Sequence, residues 1–234
     1  AHLHPTRAML AAARGVMYNT RSEQTFAHQL GVRNPREVVV GIGIDELTGA
    51  GNRFREAQAL TGPYLIYAGR LDEAKNVQTL IEQFIAYKEL RGGDLKLVLT
   101  GHGSLRDSVA RPDVIFTGVL DNQLLLDAIA GSLALCQPSL MESFSIVIMQ
   151  AWMAGAPVLT HAGCAVTREH VTASGGGLMF SNLAEFTAAV DVFLSDADAR
   201  ERLARQGARY VREIFTWNAG LDRFEQAVTI WMQK

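Results

Sequence analysis

Apolar residues come along this chain in short, nearly unbroken runs, and stretches with a helical period separate them. From Tyr64 the order is regular. "YLIYAGR", "LKLVLTGHG", "VIFTG", "LALCQPS" and "PVLTH" are apolar runs ending at glycine or polar residues, and each predicts a buried strand. Helical patterns lie between them. Asn76 to Arg91 puts Val77, Leu80, Ile81, Phe84, Ile85 and Tyr87 on one side. "DNQLLLDAIAGS" predicts a helix with Asp121 as its N-cap. A short helix is expected after Gly103, and another from Ser145 to Ala154. "GGGLMF" is expected as a short edge element, and two or three helices from Asn182 to Gln233 close the chain. Continuous apolar strands alternating with helices predict an α/β fold, a Rossmann-like parallel sheet with helices on both faces. Ligands of such sheets sit at the carboxyl ends of the strands, near a switch in strand order.

The first 62 residues are less regular. "AHLHPTRAML" reads as the interior of a helix and carries no initiator methionine, so a fragment of a longer protein is expected. "ARGVMYNTRSEQTFAHQLGV" suits a short strand and a helix, and the β-branched run of "EVVVGIGID" predicts a buried strand. "ELTGAGNRFREAQALTG" is polar and glycine-containing, which suits a linker or a solvated turn and helix between two lobes.

Composition narrows the function. With 234 residues, 48% hydrophobic and 20% charged, the chain can build a real core. Its net charge of −2 leaves no basic excess for a nucleic-acid backbone. The two cysteines, Cys136 and Cys164, form no C-x-x-C, which fits a reducing, cytoplasmic setting and speaks against a disulfide framework or thiolate metal site. No apolar run reaches the ~20 residues of a membrane span, and no signal peptide is visible.

The strand ends carry the candidate chemistry. In "GRLDEAKN", Gly69 admits close backbone approach, and Arg70 and Lys75 can hold a diphosphate, one as a fork and one as a point charge. The same two cations can equally be a solvated loop pairing with Asp72 and Glu73. "GHGSL" is either a tight turn or backbone near a nucleotide at Gly101 and Gly103. Thr117 to Leu120 is either a plain strand end or a turn offering backbone groups to a nucleobase. In "MESFSIVIMQAWMAG" the helix near Ser145 offers unpaired N–H groups to an anion. Glu142 precedes it and can accept from sugar hydroxyls, and Gln150 can reach a ribose; singly, each also fits a solvated or helix-face residue.

Together, "YAGRLDEAKN", "LVLTGHGSL", "VIFTGVL", "LCQPSLMESFSIVIMQAWMAGAPVL" and "GARYVREIFTWN" resemble, in order and spacing, the nucleotide-sugar-binding lobe of the retaining glycosyltransferases of family 4, which have the GT-B fold. The resemblance runs from about Val38 to the end. It implies that Arg70 and Lys75 clamp the donor diphosphate and stabilise the leaving group, and that Glu142, as the first acid of the family's E-x7-E motif, contacts the donor sugar. Those three are the expected catalytic residues. Gly69, Gly101, Gly103, Thr117, Val119, Ser143, Phe144, Ser145, Ile146 and Gln150 are the expected donor contacts. Two positions depart from the pattern: Gln150 replaces the second acid, and Ser143 and Ser145 stand where glycines are usual. An amide in place of a charge-assisted contact worth about 1 to 2 kcal/mol weakens donor binding by roughly 5- to 30-fold.

The resemblance also implies the organisation: residues 1–45 as a remnant of the acceptor lobe, 46–62 as a linker, 63–215 as the donor-binding domain and 216–234 as a C-terminal helix. The implied activity is transfer of a sugar from a nucleoside diphosphate with retention at the anomeric carbon, without metal or cofactor. The acceptor, a carbohydrate or glycolipid, and any membrane attachment would belong to segments outside this chain. The runner-up is a non-catalytic nucleotide-sugar-binding or regulatory module. A sugar-nucleotide epimerase and an NAD-dependent oxidoreductase, the latter resting only on "GHG", stand further back. "HAGCAVTREHVTASGGGLMF", with Cys164 and His170 at its centre, is expected to pack the last strand rather than line the cleft.

Overall fold

The computed structural model describes residues 3–105 and 109–233. In chain order its elements are α1 (Leu3–Ala12), β1 (Val16–Tyr18), α2 (Arg21–Gln29), β2 (Glu37–Val39), α3 (Gly51–Ala57), β3 (Tyr64–Ala68), a 3-10 turn (Glu73–Lys75), α4 (Val77–Arg91), β4 (Lys96–Thr100), β5 (Val114–Gly118), α5 (Asn122–Ala130), β6 (Ala134–Gln137), α6 (Ile146–Met153), β7 (Val158–His161), α7 (Ala165–Ser174), β8 (Gly177–Phe180), α8 (Leu183–Ser195), α9 (Ala197–Ile214) and α10 (Trp217–Met232). They form two compact units, residues 46–211 and residues 1–45 with 212–234.

The larger unit is built on six parallel strands in the order β5-β4-β3-β6-β7-β8. All five residues of β3 are buried, because both faces of this central strand are covered. On one face Leu65, Tyr67, Leu97 and Leu99 pack with Leu80, Ile81 and Phe84 of α4 and Phe186, Val190 and Phe193 of α8. On the other, the Tyr64 ring meets Phe54 of α3 at a tilt of 47°, and its hydroxyl donates to the Ala128 carbonyl of α5 at 2.5 Å. Residues 46–62, expected as a linker, therefore contribute a packed helix to this unit. Its anchor is Asp127, 2% exposed, which accepts from the Ala50 N–H and pairs with Arg53. Phe54, the one apolar aromatic in a polar stretch, is fully buried and was the signal that the segment packs.

The helix expected from Ser145 begins one residue later, because Ser145 sits at φ 67°, ψ 63° as its N-cap. Residues 165–174, not singled out as an element in the sequence, form α7. The short helix expected after Gly103 falls partly on residues outside those described. In the smaller unit β1 and β2 pair in parallel with α10 alongside, and Arg223 donates to the Val40 carbonyl. β2 is half-buried rather than a buried strand, since its sheet has only two strands. Among the described residues no helix is long and apolar enough to cross a membrane.

Candidate functional site

The strand order reverses between β3 and β6, as β3 is followed on one side by β4 and β5 and on the other by β6 and β7. The loops leaving β3 and β6 flank the resulting crevice. They carry Arg70, Lys75 and Glu142, and the structure joins them. Lys75 donates to Glu142 Oε1 at 2.7 Å and Asn76 Nδ2 to the Pro138 carbonyl at 2.9 Å, and Ser139 Oγ lies 3.4 Å from the Lys75 carbonyl. The Glu142 side chain is only 9% exposed and that of Lys75 25%, whereas Arg70 is 59% exposed. The solvated-loop alternative is thus half seen. Arg70 pairs with Asp72 at 2.9 Å, but Lys75 pairs across the switch point and not with Glu73. The Asp72 carboxylate also caps the 3-10 turn by accepting from the Lys75 N–H, which aims the lysine.

The loop after β6 has its own supports. Gln137 and Ser139, 4% and 0% exposed, stand below it. Ser139 Oγ donates to Gln137 Oε1 at 3.0 Å, and Gln137 Nε2 donates to Ser145 Oγ at 3.3 Å. Phe144 is buried, while Ser143 and Ile146 are exposed and Gln150 is half-buried on α6. Ser145 gives α6 no side-chain cap, so its hydroxyl does not satisfy the helix N–H groups. Among the described residues, two of the three non-glycine residues with positive φ, Asn76 and Ser145, begin the helices that follow these two loops. Asparagine tolerates that conformation; serine is strained there. Beside the site, burial and the anionic Glu142 and Asp72 push the Tyr67 phenol well above its ordinary range. That hydroxyl stays protonated and donates to the Arg70 carbonyl at 2.7 Å.

The glycines of "GHG" answer to a neighbouring backbone. A Cβ on Gly101 would lie 1.8 Å from the Gly69 carbonyl oxygen, and one on Gly103 2.2 Å from that of Leu71. Hydrogen bonds from Leu71 N–H to the His102 carbonyl and from Leu105 N–H to the Leu71 carbonyl lock the two loops together. The Gly118 carbonyl accepts from the Gly101 N–H and from Thr100 and Thr117 hydroxyls. Val119 follows, 70% exposed at the carboxyl edge of the sheet. His102 is exposed.

Sequence reasoning passed over Gln137, Ser139 and Asn76, although a Gln and a Ser ending the apolar run "LALCQPS" mark a strand end. It assigned His170 to packing, and His170 is buried, with Cys164 buried as well. Its neighbour, however, is Phe144, whose ring lies edge-on at 5.0 Å. Among the described residues no group of three His, Cys, Asp or Glu side chains is placed to hold a metal ion.

Comparisons with known proteins bear on this arrangement. The family described as "Glycosyl transferases group 1" matches residues 62–196. An uncharacterised glycosyltransferase of Methanocaldococcus jannaschii is 27% identical over 164 residues, 66% of this chain and 41% of that protein. The glycogen synthase of Mycobacterium tuberculosis is 29% identical over 175 residues, 70% of this chain and 42% of that protein. The chain thus spans about two fifths of the length of these curated relatives. Among solved structures, Anabaena HepE in complex with UDP and glucose superposes with a TM-score of 0.84 at 16% identity, over 97% of this chain and 66% of that one. A sucrose-phosphate synthase from Thermosynechococcus elongatus gives 0.82 at 20% identity, over 99% of this chain and 62% of that one.

Proposed function

This chain belongs to the group 1 glycosyl transferases and has the Rossmann-like fold of the C-terminal domain of GT-B enzymes, and from that membership we propose that it binds a nucleoside diphosphate sugar and serves its transfer to an acceptor. The observation that carries the reading is the Lys75–Glu142 contact across the switch point, 2.7 Å long. It puts a cation for phosphate and a carboxylate for sugar hydroxyls side by side, at the place where this class of sheet takes its ligands. Arg70 and Lys75 would hold the diphosphate, with the N–H groups at the start of α6 beside them. Glu142 would accept from hydroxyls of the sugar, Gln150 from the ribose, and Val119 with Thr117 would border the base. A complex of the HepE fold with UDP and glucose makes uridine the first base to test.

In the whole protein the proposed reaction is transfer with retention to a carbohydrate or glycolipid acceptor, without a metal or cofactor, in the cytoplasm. The bond from the anomeric carbon to the diphosphate oxygen breaks, and the acceptor oxygen forms its bond on the same face. The acceptor's proton leaves with the diphosphate. The protein's part is electrostatic: Arg70 and Lys75 stabilise the charge that grows on the departing diphosphate. The second reading, a binding module that does not catalyse, is favoured by Gln150, a neutral amide where the family has an acid.

Calorimetric titration of the chain with UDP, GDP, ADP, TDP and NAD tests the proposal. One nucleoside diphosphate should bind selectively. Arg70→Ala and Lys75→Ala should each weaken it by roughly 10- to 100-fold, as expected for a lost charge-assisted hydrogen bond. Binding that both variants leave untouched, or no binding by the wild type, would remove the donor-site reading. Turnover of a bound sugar nucleotide by the full-length protein separates the enzyme from the binding module.

A further inference from the structure

The imidazole of His170 is 1% exposed in a helix whose sequence, "AVTREHVTAS", is otherwise half polar. It touches the loop before α6 and the helix α9. Its ring meets Phe144 edge-on at 5.0 Å and 75°. Its Nδ1 lies 3.0 Å from the Tyr210 hydroxyl of α9. The Tyr210 ring in turn stands edge-on to Trp152 of α6 at 5.9 Å, and Trp152 Nε1 donates to the Gly176 carbonyl at 2.7 Å. Phe144 lies between Glu142 and Ser145, the strained cap of α6. Any shift of the Phe144 backbone therefore moves both the carboxylate and the helix start.

An apolar ring in place of His170 would fill the same volume at no desolvation cost. It would not hold the Tyr210 hydroxyl, which ties the ring lying against Phe144 to α9. A neutral imidazole can meet the Tyr210 hydroxyl as donor or as acceptor, according to its tautomer. Burial lowers the His170 pKa to about 4, so the ring is neutral at ordinary pH.

We infer that His170 is a positioning residue, which fixes from behind the loop 142–145 in the shape that presents Glu142 and the start of α6 to the donor. The inference rests on reading that loop as the donor's, and the experiment separates the two claims. Hydrogen exchange, thermal midpoints and binding of UDP-glucose would be measured for the wild type, His170→Phe, His170→Gln and Tyr210→Phe. His170→Phe should fold and speed exchange of residues 142–147 at least tenfold, with the rest of 46–211 little changed. It should also weaken UDP-glucose at least tenfold. His170→Gln, which restores a hydrogen-bonding group for the Tyr210 hydroxyl, should recover part of both effects. Tyr210→Phe, which loses only a hydroxyl, should show a smaller change in the same direction, and decides the matter if His170→Phe does not fold.

Unchanged exchange at 142–147 would overturn the inference. So would loosening spread evenly over 46–211, or a glutamine variant as impaired as the phenylalanine one. If the wild type binds neither UDP-glucose nor any nucleoside diphosphate, the donor reading falls. The exchange data then still decide whether His170 holds the loop.

Discussion

Ser145 holds a conformation that costs a residue with a Cβ roughly 1 to 2 kcal/mol, at φ 67° and at the start of the helix nearest the candidate site. The family's usual glycine would be free of that cost. Serine adds a hydroxyl that accepts from Gln137 at 3.3 Å, so strain and hydrogen bond are exchanged for one another. Two variants separate them. Ser145→Ala keeps the strain and loses the hydroxyl, whereas Ser145→Gly loses both. The glycine variant should be the more stable of the two by about 1 kcal/mol, after allowing for the freedom glycine adds to the unfolded chain. Urea midpoints report this directly, and an alanine variant at least as stable as the glycine one would refute the strain. His170 makes a second prediction at this scale. Burial holds its folded pKa at about 4, against 6.5 for an ordinary histidine. As pH falls from 6.5 towards 4, the unfolded chain takes up a proton that the folded one refuses. Stability present above pH 6.5 is thus lost in that window, by about 1.4 kcal/mol per pH unit. Between pH 7 and 5 the wild type should lose about 2 kcal/mol more than His170→Gln. His161, lowered by burial as well, is common to both proteins and drops out of the difference. An equal loss in both would mean that His170 titrates normally.

At the scale of elements, what the sequence made legible depended on how local the cause was. β3 to β7, α4 and α5 were readable because their apolar runs or periods are complete in themselves. Asp121 caps α5 as its position before "NQLLL" suggests, accepting from the Leu124 N–H at 2.8 Å. The polar stretch that holds α3 suits a linker or a solvated turn and helix, and its packing is not legible there because what holds it, Asp127, is 74 residues from its partner Arg53. α7 was missed for a related reason: its buried His170 and Thr167 look polar in sequence, and the partner of His170, Tyr210, arrives from α9, while Thr167 donates to the Cys164 carbonyl one turn back. The site shows the same division. Arg70, Lys75 and Glu142 were named from their places after strands, and the pairing of Lys75 with Glu142 needed the strand order that brings β3 beside β6. Gly101 and Gly103 were read as nucleotide contacts or turn residues, and their close approach is to the carbonyls of Gly69 and Leu71. That packing is invisible in "GHG" alone, because the carbonyls belong to the loop after another strand. The glycines so hold two loops at one spacing, and through them the base of the Arg70–Lys75 segment.

At the scale of the molecule, every residue assigned to the candidate site belongs to residues 46–211, and none to the unit made of residues 1–45 and 212–234. A ligand that binds only the folded form adds stability by mass action, about 2.7 kcal/mol at a concentration one hundred times its Kd. For a domain of this size that raises the midpoint of thermal unfolding by roughly 5 to 10 °C. The gain should fall where the contacts are. With the nucleoside diphosphate that calorimetry selects, hydrogen exchange should slow in the segments 69–76 and 138–147, and more weakly through the strands β3 and β6 that carry them. Peptides from 1–45 and 212–234 should exchange as they do without ligand. Arg70→Ala should lose the protection at the same ligand concentration and regain it when the concentration is raised by the factor lost in affinity. This last step distinguishes a weakened site from a damaged fold, since a misfolded variant would not be rescued by more ligand. Protection spread equally over both units, or centred on α10, would place the nucleotide elsewhere. It would leave the Lys75–Glu142 pair as a bridge that only holds two loops together.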